Sequence, residues 1–199
     1  FFSGSLIAAT AQGWMLGVFV TGLEGGMMGN AFAILIALTL PALYVLLGCG
    51  WLLMKAEGNL LRKAHRWAAL AIWPMGLGLF LVSIATPLVS DTIAEKWFSL
   101  PNLLWLIPIP LVCVLSFAIL IYVLRNHSET QRRPWLVMAA TALICLMAAI
   151  GLAYSLFPYI VPDSLTLWEA ASSTDSLLFT LAGVVITLPA ILFYTVYVY

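Results

Sequence analysis

The sequence predicts an all-α, polytopic transmembrane helix bundle with six spans in this chain. Three observations predict it. Of the 199 residues, 64% are hydrophobic and 8% charged, whereas soluble proteins carry about 25% charged residues. Six apolar runs reach the roughly 20 residues that a helix needs to cross a hydrocarbon core. Basic residues, finally, are confined almost entirely to alternate connections. Transmembrane β-strands would be shorter and would alternate in polarity, and these runs do neither.

Taken in order, the first span is expected over residues 5–23. It carries Gln12, whose amide needs a hydrogen-bonding partner in hydrocarbon and is expected to face protein rather than lipid. Gly13 and Gly17, one helical turn apart, allow a neighbouring helix to approach closely. Ordinary helix packing explains these three residues; the sharper reading is a polar contact near a cofactor in an assembled complex. Residues 24–30, rich in glycine, are expected as a flexible turn on the outside. The second and third spans are expected over 31–54 and 67–89. The connection between them, residues 55–66, reads as a solvated loop facing lipid headgroups. The fourth span, 103–124, carries Pro108 and Pro110 and is expected to bend near its outer end. Pro41, Pro74, Pro87 and Pro189 interrupt other spans, which membrane bundles tolerate where neighbours re-satisfy the freed carbonyls. Residues 125–133 form a second basic connection before the fifth span, 135–157.

Pro158 and Pro162 cannot continue that span. Residues 164–171 are expected as a short helix at the membrane surface, with Leu165, Leu167 and Trp168 turned toward lipid or protein. Trp168 and Glu169 are expected to pack at an inter-helix or subunit contact. Ser172, Ser173 and Thr174 are N-cap candidates for the last span, 176–199, and Asp175 sits where that helix's N-terminus is positive.

Charge placement orients the bundle. Lys55, Arg62, Lys63 and Arg66 lie in one connection and Arg125, Arg132 and Arg133 in another, while the remaining connections hold only Lys96. The positive-inside rule puts the two basic connections in the cytoplasm, so the first span starts inside and the C-terminus ends inside. Trp51, Trp67, Trp97, Trp105 and Trp135 fall near the expected interfaces, where indoles are favoured. The opening Phe1-Phe2-Ser3-Gly4 and a last span without a basic anchor suggest a fragment, and no basic leader marks a signal peptide.

Chemistry is sparse. The formal charge is zero, so nothing draws the chain to nucleic acid. Both histidines, His65 and His127, fall in basic connections, and no ionisable side chain other than cysteine or tyrosine lies mid-span. Transporters place titratable or coordinating groups at the midplane, and axial histidine ligation of haem within the spans is equally excluded. Cys49, Cys113 and Cys145 are unpaired in spacing and read as small packing residues. There is no phosphate loop and no Ser/His/Asp set. The chain by itself is expected to be non-catalytic, with no catalytic, cofactor-binding or metal-binding residues of its own.

Four stretches carry a resemblance: Gly4-Ser-Leu-Ile-Ala-Ala-Thr-Ala-Gln-Gly13, Leu47-Gly-Cys-Gly-Trp-Leu-Leu-Met-Lys-Ala-Glu-Gly58, Phe157-Pro-Tyr-Ile-Val-Pro with Leu165-Thr-Leu-Trp-Glu-Ala-Ala-Ser-Ser173, and Leu188-Pro-Ala-Ile-Leu-Phe-Tyr-Thr-Val-Tyr197. In this order they resemble subunit II of the cytochrome bd quinol oxidases across essentially the whole chain. The resemblance implies a bacterial inner-membrane, multi-pass subunit that holds no haem. It also implies a haem-bearing subunit I as partner, carrying haem b and haem d and the quinol-oxidising site. Electrons pass from quinol to oxygen, giving water with protons taken from the cytoplasm. Membrane lipid is a further partner, and some members hold a quinone in a structural role. The resemblance further implies that the chain is the C-terminal six helices of an eight-helix subunit. The family's Trp-Asp-Gly-Asn-type motif belongs to the two earlier helices, so its residues are not carried over. Trp168-Glu169 departs mildly from the Trp-Asp of many members. The alternatives are half of a small transporter or channel, against which the empty midplane argues, and a purely structural scaffold.

Overall fold

The computed structural model describes residues 1–23, 26–89, 91–100, 102–161 and 165–198. Six of its helices are long and apolar enough to cross a membrane. The chain runs α1 (Phe2–Val20), α2 (Met27–Lys55), α3 (Gly58–Val89), α4 (Asp91–Phe98), α5 (Asn102–Leu106), α6 (Pro108–Arg125), α7 (His127–Arg132), α8 (Trp135–Leu156), β1 (Tyr159–Val161), β2 (Leu165–Thr166) and α9 (Thr174–Val198). The expected six-span bundle is present, with its boundaries revised.

The first span ends at Val20, earlier than expected, because a glycine stops it. Gly22 adopts φ 69° and Leu23 φ 63°. The Leu23 amide donates to the Val18 carbonyl at 3.0 Å, and the Gly22 amide to the Phe19 carbonyl at 3.2 Å. This is the Schellman arrangement, which satisfies carbonyls that the helix end would otherwise strand. The outside turn is also shorter than expected, since α2 already begins at Met27; Glu24 and Gly25 lie outside the described residues.

The largest revision concerns residues 55–66. They are not a loop: only Ala56 and Glu57 separate α2 from α3, and Gly58 takes the turn with φ 60°. Arg62, Lys63 and Arg66 therefore ride on the first turns of α3. With 29 and 32 residues, α2 and α3 are about 44 and 48 Å long at 1.5 Å per residue. Both exceed the roughly 30 Å of hydrocarbon, so their basic ends project from it. There the Lys55 ammonium lies 5.2 Å from the Trp51 ring centroid, within cation–π range. The second basic connection likewise contains a short helix, α7.

Pro41, Pro74, Pro87 and Pro189 sit inside continuous helices. The fourth span is instead broken outright. Pro108 occupies the first position of α6, where a missing amide hydrogen is harmless, and Ile107 separates it from α5. Residues 165–171 form strand and turn rather than a surface helix: Tyr159 pairs with Thr166 in an antiparallel register. The competing β-pairing and the turn closed by Glu169 take the backbone groups that a helix would have used. Pro162 and Ser164 lie outside the described residues, as does Tyr199.

Packing closes a ring in which α2 meets α3, α3 meets α6, α6 meets α8, and α8 returns to α2. Its interior is filled by Leu46, Cys49 and Leu53 of α2, Ala64, Ala68, Ala71, Ile72 and Met75 of α3, Leu120, Val123 and Leu124 of α6, and Val137, Ala140 and Ile144 of α8. Steps of three and four residues put each set on one helical face. A smaller cluster of Val20, Phe32 and Ile93 lies toward the opposite end. Outside the ring, α1 packs along α2, and no residue of α9 is buried.

Glycines set how close these helices come. A Cβ built on Gly17 would stand 2.3 Å from the Ala33 Cα, and one on Gly13 would stand 2.6 Å from the Ala37 Cα. A Cβ on Gly50 would reach the Met138 Cα at 2.9 Å. Gly17→Ala is thus expected to destabilise the α1–α2 pair by about 1–3 kcal/mol, the usual cost of overpacking. Gly48→Ala, where an added Cβ meets nothing, is expected to be neutral or slightly stabilising. Thermal unfolding in detergent checks both, and equal behaviour of the two variants would contradict this packing.

Candidate functional site

Three polar clusters stand out, and each is built from the ends or flanks of spans. The first joins α1 to α2. Packing at Gly13 and Gly17 brings the flank of α1 against α2, and the Tyr44 hydroxyl donates to Gln12 Oε1 at 3.0 Å. The expected hydrogen-bonding partner is Tyr44. Gln12 is nonetheless exposed on the outer flank of the pair. Its register explains why: Gly13, Gly17 and Val20 take the buried face of α1, and Gln12 lies one residue off it.

The second cluster lies at the end opposite the basic connections. Lys96, the one basic residue of that end, donates to the carbonyls of Ser155, at 3.4 Å, and of Phe157. These carbonyls belong to the C-terminus of α8, where a cation is favoured by the helix dipole. Beside it, Trp97 Nε1 donates to the Ser155 hydroxyl at 2.8 Å, and that hydroxyl donates to the Gly151 carbonyl at 2.7 Å. Thus α4 is fastened to the end of α8. Trp97, expected near an interface, is tied to α8 as well, and the isolation of Lys96 among acidic neighbours is the sequence signal for this cluster.

The third cluster follows directly. Phe157 precedes a cis peptide bond to Pro158, and its ring meets that of Trp168 edge-on, with centroids 6.0 Å apart and planes at 66°. Trp168 is otherwise two-thirds exposed, at 66%. Glu169 is exposed too, and its Oε2 accepts from the Thr166 amide at 3.0 Å and the Thr166 hydroxyl at 2.7 Å. Within this chain Trp168 and Glu169 therefore shape their own loop. Ser173 gives its carbonyl to the Leu177 amide at 3.0 Å, the N-cap position of α9. Among the described residues neither Ser172 nor Ser173 makes a side-chain hydrogen bond.

Among the described residues, no group of three or more His, Cys, Asp or Glu side chains could hold a metal ion. A cavity of about 250 Å³ at the basic end is lined by Leu53, Ala56, Leu61, His65, Thr130 and Gln131. It is smaller than the usual small-molecule site, about 300–1,000 Å³. Thr130 spends its hydroxyl on the Val123 carbonyl at 2.6 Å, fixing α7 under α6.

Such an arrangement defines a class of protein: a polytopic helical membrane protein whose polar groups tie helix ends together. No curated protein matches the chain. It belongs to the cytochrome bd terminal oxidase subunit II family, whose match covers residues 1–199. The chain is thus a subunit of a respiratory oxidoreductase complex, and a partner subunit is implied.

The Thr166 amide, and after it the Thr166 hydroxyl, hold the Glu169 carboxyl below the ordinary carboxylate range, with slight desolvation opposing. A depressed folded value stabilises the loop above the ordinary carboxylate pKa and loses that contribution as pH falls through the lower folded value. Hydrogen exchange at the Thr166 amide, corrected for its intrinsic pH dependence, should accelerate on acidification, and Glu169→Gln should flatten the profile. A flat profile in the unaltered chain would count against this bond.

Proposed function

We propose that the chain is the haem-free subunit II of a membrane quinol:oxygen oxidoreductase, the terminal oxidase of aerobic respiration. In this reading it supports assembly and stability of the haem-bearing subunit I, which carries haem b and haem d and oxidises quinol. The observation that carries the proposal is the family match over residues 1–199. Its support is the placement of chemistry in the sequence: both histidines fall at the basic end, outside the midplane of the spans. Redox chemistry through axial histidine would therefore fall to the partner. A quinone in a structural role is compatible with a subunit of this complex. The bundle lies in a bacterial inner membrane in this proposal, with the C-terminal end of α9 on the cytoplasmic side, as the positive-inside rule requires.

Orientation is tested by cysteine labelling in a cysteine-free background. Lys63→Cys should label from the cytoplasm and Glu169→Cys from the periplasm; labelling from one side would overturn the topology. The role is tested by expression at the full natural length of the subunit. Alone, it should show no haem absorbance and no quinol oxidase activity. With a haem-bearing subunit I it should co-purify as a complex with haem b and haem d spectra and oxygen uptake. Haem bound by this subunit alone would overturn the division of roles, and failure to co-purify with any haem-bearing partner would remove the oxidase reading.

A further inference from the structure

The cleft between α3 and α6 has a closed end and a basic mouth. Ala69, Ile72 and Trp73 of α3 face Ile121, Leu124 and Arg125 of α6 across a volume of about 100 Å³. Steps of three and four residues make each set one face of its helix. Ile72 and Leu124, both buried, form the back wall. Trp73 and Arg125 are exposed, so the cleft opens outward between the two helices. One turn beyond Trp73 it closes. A Cβ built on Gly76 would stand 2.2 Å from Phe117 Cζ, so the Phe117 ring lies against that glycine and fills the gap. From Ala69 to Gly76 the cleft runs about 10 Å at 1.5 Å per residue.

Charge decides what fits there. Residues 55–66 and 125–133 hold seven basic side chains against two acidic ones, Glu57 and Glu129. Two of these cations are engaged within the chain: Lys55 lies over the Trp51 ring, and the Arg62 guanidinium donates to Asn59 Oδ1. Arg66 and Arg125 are exposed, and among the described residues neither has a hydrogen-bond or ion-pair partner. Arg66 precedes Ala69 by three residues and Trp73 by seven, which puts it on the cleft side of α3, one turn nearer the basic end. Arg125, the last residue of α6, stands on the other side of the mouth. A guanidinium pairs with a phosphate through two parallel hydrogen bonds. A free anion would use the charges and leave the apolar walls idle, and a neutral lipid would leave both guanidiniums unmatched. Basic pockets between membrane helices are where anionic headgroups bind.

We propose that the α3–α6 cleft is a binding site for an anionic glycerophospholipid. Its phosphate lies between Arg66 and Arg125, and one acyl chain runs past Ala69, Trp73 and Ile121 to the Phe117 ring. The lipid completes the ring of helices on the side where α3 and α6 separate. The site requires only the bundle and its charges, and it stands apart from the oxidase role.

The test uses the subunit at its full natural length, with the partners it co-purifies with, in phosphatidylcholine vesicles. These carry a minor fraction of phosphatidylglycerol with a photoreactive acyl chain. Irradiation and peptide mapping should place the adduct within residues 69–73 or 121–125. Excess unlabelled phosphatidylglycerol should suppress it, and excess phosphatidylcholine should not. Equal suppression by the two lipids would mean bulk lipid only and would overturn the site. Suppression by inorganic phosphate at the same concentration would mean that charge alone is recognised, and would overturn the lipid assignment. Arg66→Gln and Arg125→Gln should each lower the adduct yield about fivefold, as expected for one basic residue beside an anionic headgroup. Lys63→Gln, which leaves both arginines of the mouth in place, should lower it by less than about twofold. Equal loss in all three variants would mean a diffuse basic surface rather than a site. Ala69→Phe fills the cleft and keeps every charge, so it should abolish the adduct on residues 121–125. An unchanged yield in that variant would place the lipid elsewhere, and the proposal would fail.

Discussion

Helices surrounded by lipid gain little from burying apolar surface against one another, since the tails they displace are as apolar as leucine. What holds this bundle together is therefore how closely backbones can approach. Gly17 over Ala33 and Gly13 over Ala37 bring α1 onto α2, and Gly50 over Met138 brings α2 onto α8. Those contacts multiply the short-range dispersion forces that fall away within an ångström of optimal separation. The ring of α2, α3, α6 and α8 and its interior of leucine, alanine and valine follow from that closeness. Remove it, and the same side chains would be equally content in lipid.

Polar groups take the second part of the work, and they act mainly at helix ends. Lys96 and Trp97 fasten α4 to the C-terminus of α8 through Ser155 and Phe157. Thr130 fastens α7 to α6 through the Val123 carbonyl. At both places a side chain satisfies carbonyls that a helix terminus leaves open, so a single contact closes a backbone account and joins two elements. Within the spans, hydroxyls are mostly turned back on their own helices, as Thr141 does to the Val137 carbonyl at 2.7 Å. The Gln12–Tyr44 pair instead joins two spans, and it lies on an outer flank.

Legibility in the sequence followed the physics of each signal. The six spans, the two basic connections and the break near Pro108 and Pro110 were readable because hydrocarbon thickness, charge and a missing amide hydrogen leave direct traces in residue type. Boundaries were less readable. The polar stretch 55–66 resembles a loop by composition, yet its leucines, alanines and long basic side chains are good helix formers, and a helix can project beyond the hydrocarbon. Gly22 carries a stop signal for α1 inside the longer span expected over residues 5–23. The surface helix expected over 164–171 lost to strand pairing between Tyr159 and Thr166, an interaction across a turn that helical periodicity cannot report. Gln12 was recognisable as a residue needing a partner; that its partner is Tyr44, thirty-two positions on, is a fact of helix register and not of spacing.

The connector between α2 and α3 also bears on how the protein enters its membrane. Two residues, Ala56 and Glu57, leave no slack for one helix to partition while the other waits. The two longest spans are therefore coupled and enter the bilayer together as a hairpin, whose interior face is completed only when α6 and α8 pack against it. Lys55, Arg62, Lys63 and Arg66 sit at the tip of that hairpin, and carrying them across would cost several kilocalories per charge. The hairpin tip is in consequence a fixed point on one side of the bilayer, and the spans that follow it in the chain, α6, α8 and α9, are added to an anchor already set.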